Sequence, residues 1–145
     1  MVWLDGDCIA WTGPCGPAPW LLESGATDHP IEVVDRIVRD VIGPPLLVHS
    51  TSWRRDRDAL ILSFIVVIEP GQVGSMESVP VGRADLARSG ATTPPGTIDH
   101  GQVLEHGLRH LAWLAVDDPV VRQVLPPHFL TVLAGYTPEP FRALA

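Results

Sequence analysis

The chain has 145 residues, 46% of them hydrophobic, and a formal net charge of −7 from 17 acidic against 10 basic residues. That length and apolar content fit a single domain with one core and argue against disorder. The negative charge excludes broad contact with nucleic acid or an anionic membrane, both of which need a positive surface field.

Residues 2–11 (VWLDGDCIAW) suit an edge strand or hairpin, and the Gly- and Pro-rich stretch Thr12–Pro19 must be a loop. Trp20 to Gly25 (WLLESG) reads as a short strand entering a turn. From Pro30 to Ile42 the spacing of Ile31, Val34, Val38 and Val41 predicts a helix, with Asp28 as its cap and Gly43-Pro44-Pro45 as its stop. Two strands follow, 46–53 and 59–69, joined by the charged turn Arg54-Arg55-Asp56-Arg57-Asp58. The run Leu60–Ile68 is apolar on both faces, which predicts a strand in mid-sheet covered by helices on either side. Residues 70–99 show no strong period and form a long irregular segment, with an edge strand near Ser78–Val81. Gly101–Val116 is a second helix with Leu104, Leu108, Leu111 and Ala115 as its buried stripe. Short helices near Pro119–Val124 and Phe129–Ala134, then a tail, complete one domain over 1–145.

The two cysteines, Cys8 and Cys15, make no CxxC pair, so neither a zinc site nor a disulfide framework is expected. No apolar run is long enough to span a bilayer, and Met1-Val2-Trp3-Leu4-Asp5 lacks the basic start and apolar stretch of a signal peptide. A cytoplasmic location follows as the expectation. There is no GxSxG, GxxxxGK[ST] or GxGxxG signature.

The Trp20-Leu21-Leu22-Glu23-Ser24-Gly25 turn and the helix end Arg36-Ile37-Val38-Arg39-Asp40-Val41-Ile42-Gly43 resemble corresponding parts of a Nudix hydrolase domain. The resemblance implies an α/β/α sandwich with a mixed sheet, and diphosphate hydrolysis with magnesium held by carboxylates of the helix. Anchored on Gly43, it retains Arg36, Val38, Asp40 and, at an earlier acidic position, Asp28. Ile37 and Val41 stand where the family has glutamates, and neither can bind a hard cation. Asp28 and Asp40 are therefore the only catalytic candidates the resemblance supplies, and Asp40 the only metal candidate on that helix.

Three other groups carry chemistry. His106 and His110 are four residues apart on one helix face, which suits a transition metal or a base with its partner, although the HExxH pattern is missing; the alternative is local hydrogen bonding beside the apolar stripe. His49 alternates with apolar residues and points either to a cleft or into the interior. Arg54, Arg55 and Arg57 with Trp53 form the one concentrated basic spot, suited to a nucleotide or phosphate, or simply a solvated turn pairing with Asp56 and Asp58.

Three functions compete. The first is a catalytically silent Nudix-like domain binding a small ligand or a protein partner, a second copy included, with no cofactor; the wide apolar arc of the first helix requires cover. The second is a magnesium-dependent hydrolase of nucleoside diphosphate derivatives with Asp28, Asp40 and residues of the long segment as atypical ligands. The third is a transition-metal enzyme built on His49, His106 and His110.

Overall fold

The computed structural model describes residues 1–86 and 98–138. Its strands are β1 (Val2–Asp5), β2 (Cys8–Trp11), β3 (Leu47–Asp56), β4 (Ala59–Val67) and β5 (Val79–Pro80). They form one mixed sheet in the order β3-β4-β1-β2-β5, antiparallel except for β1 beside β4. Helix α1 (Pro30–Ile42) precedes β3, and α2 (His100–Asp117), α3 (Pro119–Val124) and α4 (Pro127–Leu133) follow β5.

Strand alternation divides the core into two layers. Ile65 and Val67 of β4 join Val2 and Ile9 under Leu108, Leu111, Val121, Phe129 and Leu133 of α2, α3 and α4. Val66 and Ile68 point the other way, joining Trp3, Ala10 and Val38, with Val34 and Ile42 of α1 packed against them. The protein is thus mixed α/β, with helices on both faces of the sheet.

Several expectations need correction. Residues 2–11 do make a hairpin, but β1 lies at the centre of the sheet, because its four residues are walled by β4 on one side and β2 on the other. No regular strand forms over 20–25, where Leu21 is 85% exposed and only Trp20 packs inward. Asp28 does not cap α1: His29 holds that position, and the Asp28 carboxylate instead accepts the Gly25 N–H at 2.7 Å. The α1 boundaries match the periodicity, and Gly43 ends the helix at φ 96, a conformation that disfavours any side chain. The buried stripe of α2 is rotated to take in Glu105, His110 and Ala112, with Leu104 and Ala115 at its margin. β5 forms the expected edge strand near 78–81; within the irregular segment, residues 87–97 lie outside the described residues.

Candidate functional site

The β3–β4 ladder is the longest element of the sheet, and its two ends differ. Strand β3 extends to Asp56 and the turn shrinks to Arg57-Asp58, so Arg54 and Arg55 are strand residues rather than turn residues. Arg57 takes φ 51, and its carbonyl accepts the Arg55 Nε–H at 3.1 Å. Helix α1, 13 residues long, covers about 20 Å, whereas the ten residues of β3 reach about 33 Å. Only residues 43–46 separate helix and strand, so β3 runs back under α1 and its far end overhangs by roughly 13 Å.

Burial follows that mismatch. Ile65, Val66 and Val67 are buried, but Leu60 is 62% exposed, Leu62 36% and Trp53 69%. Trp53 lies opposite Leu62 and Arg55 opposite Leu60, so all four share one face, while Ser52 and Arg54 share the other with Ser63 and Ile61. Sequence reasoning found Trp53 and the arginines but missed Leu60 and Leu62, whose apolar run was read as wholly interior. Only the absence of a helix long enough to cover them could have exposed the error.

The ladder changes character at Thr51, the extra residue of a β-bulge between Ser50 and Ser52. Helix α2 packs against the ladder here through Gly107, where a Cβ would come into ordinary contact with Thr51 Cγ2 at 3.4 Å and Ile65 Cδ1 at 3.6 Å. The three sequence-predicted histidines converge just behind this contact. The His49 and His110 rings are 4.9 Å apart, His106 and His110 6.5 Å, and His110 stacks on Trp113 at 5.7 Å with 10° between planes. His106 Nε2 lies 3.2 Å from the Thr51 carbonyl, a hydrogen bond when that nitrogen carries the proton. Burial pushes the His110 imidazole down to about 4, reinforced by His49 and His106; burial also lowers His49, with Asp118 opposing. The His49 and His110 rings sit neutral at neutral pH. Among the described residues, no group of three or more His, Cys, Asp or Glu is placed to hold a metal ion.

Glu105, on the same helix, is fully buried yet charged groups surround it. Arg109 Nε donates to Oε1 at 2.7 Å and Arg83 Nη2 to the same oxygen at 3.1 Å, while Arg83 also donates to the Gly135 carbonyl and lies 4.2 Å over the Tyr136 ring. This cluster ties the segment after β5 to α2 and the end of α4. Glu105 and Arg83 are 22 residues apart in sequence, which hid the pair.

The Nudix-type candidates separate. Asp28 lies before α1 and Asp40 in its last turn, about 15 Å apart along the helix axis. Asp40 and Val41 are exposed and Ile37 half-buried. An open depression of about 440 Å³ is lined by Thr27, Asp28, His29, Glu32, Val33 and Arg36, without Asp40. No helix among the described residues is long and apolar enough to cross a membrane. Neither protein-family models, nor curated proteins, nor solved structures give a match to this chain.

Proposed function

We propose that the chain is a recognition domain without hydrolytic activity, similar in outline to a Nudix domain, which binds a protein partner through the overhanging part of the β3–β4 hairpin. The observation that carries this reading is the exposed face of Trp53, Leu60 and Leu62 flanked by Arg55. Exposed apolar surface rimmed by charge marks interaction sites, and Trp with Arg are the side chains that anchor interfaces. The face is an open two-stranded ribbon rather than a concavity, which suits a macromolecule better than the small nucleotide or phosphate ligand considered from sequence. The absence of hydrolysis is supported by Ile37 and Val41 at the positions of metal-binding glutamates and by the spread of Asp28 and Asp40 along α1.

Two measurements test the reading. A photo-crosslinking amino acid at position 59, exposed on the same hairpin beside Leu60, should give a discrete protein adduct in cells, and one at Val116, itself 71% exposed, should not. Equal labelling from both positions, or none from 59, counts against it. Purified protein with millimolar magnesium should not hydrolyse nucleoside diphosphate derivatives; turnover abolished by Asp40→Ala would establish the hydrolase alternative instead.

A further inference from the structure

We infer that the occupant of this hairpin is an acidic peptide segment, added as a further strand along the outer edge of β3. The inference rests on the recognition reading above and gives it a partner chemistry and a binding mode.

β3 is the terminal strand of the sheet, and among the described residues its outer edge has no strand beside it. The Thr51 bulge interrupts that edge, so the regular stretch available for pairing is Ser52–Asp56. A strand added there gains main-chain hydrogen bonds and presents alternate side chains to the two faces. On the face it shares with Leu62 and Leu60 it meets Trp53 and Arg55; on the other it meets Arg54, and Arg57 lies at the tip between Asp56 and Asp58 in sequence. Alternating apolar and acidic side chains match this surface, because the apolar ones cover Trp53 and the carboxylates reach guanidinium forks that bind them bidentately.

Charge also bears on two other occupants. A second copy pairing antiparallel in the register centred on Arg54 would set Arg54 opposite Arg54, and like charges directly opposite destabilise that register. A nucleic acid would bring many phosphates toward a chain of net charge −7, and on this face only Trp53 offers a base a stacking surface, Leu60 and Leu62 beside it offering none. A short acidic segment with apolar residues engages the local arginines without presenting a long polyanion to the rest of the surface.

The test uses the full chain and labelled ten-residue peptides in which leucine alternates with glutamate, lysine or serine, followed by fluorescence anisotropy. The Leu–Glu peptide should bind at least tenfold more tightly than the Leu–Lys peptide at 50 mM salt and weaken at 500 mM. Arg54→Ser with Arg55→Ser should lower its affinity at least fivefold, and Trp53→Ala should weaken all binding. Both variants should unfold cooperatively with a midpoint close to that of the wild type, since the residues are not core. Amide exchange in residues 52–56 should slow on binding, which a loosely docked peptide would not cause. Absence of Leu–Glu binding, equal affinity for the three peptides, binding without slowed exchange at 52–56, self-association through this edge, or tighter binding of oligo-dT would overturn the inference. A specific crosslink from position 59 with no preference for the acidic peptide would leave the recognition reading intact and remove this one; no crosslink at all would remove both.

Discussion

The two halves of the β3–β4 ladder share the same two strands and a β4 that is apolar along most of its length, yet they behave as different materials. From Leu47 to Ser50 the ladder lies between α1 and α2, with Val66 sealed on one side and Ile65 and Val67 on the other. Beyond the Thr51 bulge, β4 still carries Leu60 and Leu62, but no described element lies over them. Burial in the sheet is therefore set by the length of the covering helices, not by the hydrophobicity of the strand. An apolar residue that a helix is too short to cover becomes available to a partner.

The comparison breaks most severely at the covered end. Glu105→Ala leaves Arg109 and Arg83 around an emptied site, and should cost about 3–5 kcal/mol, read as a fall in the denaturant midpoint. A loss below about 1 kcal/mol would mean the cluster is solvated.

The histidines give the next largest effect. The folded pKa of His110, about 4, lies below the unfolded value of 6.5, so the unfolded chain binds the proton more readily between those limits. Stability should be intact above pH 6.5 and fall as the pH drops toward 4, by roughly 1–3 kcal/mol. Urea unfolding of wild type and His110→Gln at pH 7 and pH 5 measures this: the wild type should lose more between the two pH values than the variant. Equal losses would assign the acid sensitivity to carboxylates.

At the overhanging end, stability should hardly respond. Trp53→Ala and Leu62→Ser should shift unfolding by no more than about 0.5–1 kcal/mol, as changes at exposed positions do, while partner crosslinking from a neighbouring hairpin position is lost. The smallest effect is expected from Asp40→Ala, an exposed residue of the last turn of α1, within about 0.5 kcal/mol and with no change in recognition.

Much of the fold was legible because it is written in local signals. Pro30 at the first position of α1, Gly43 beyond its end and a 3.6-residue period fix that helix, whereas the caps of α2 and α3, Asp99 and Asp118, emerge only from the structure. The sequence also singled out His49, His106 and His110 together, since an i, i+4 pair on α2 faces the sheet that carries His49. What was not legible depends on distances between elements. Leu60 and Leu62 look like core until the lengths of α1 and β3 are compared, and the Glu105–Arg83 pair joins residues whose separation in sequence gives no hint of contact. The placement of β1 at the sheet centre was likewise hidden, because a four-residue strand carries the same pattern at an edge or in the middle.

The division of one ladder into core and binding surface is tested most directly by amide hydrogen exchange along β3 and β4, in the protein alone and with the partner captured from position 59. The account predicts strong protection at residues 64–67 and at the inward-facing amides of 47–50 in both states, weak protection at 52–56 and 59–62 in the protein alone, and a rise confined to 52–56 and 59–62 on binding. Uniformly strong protection along both strands without the partner, unchanged when it is added, would contradict it.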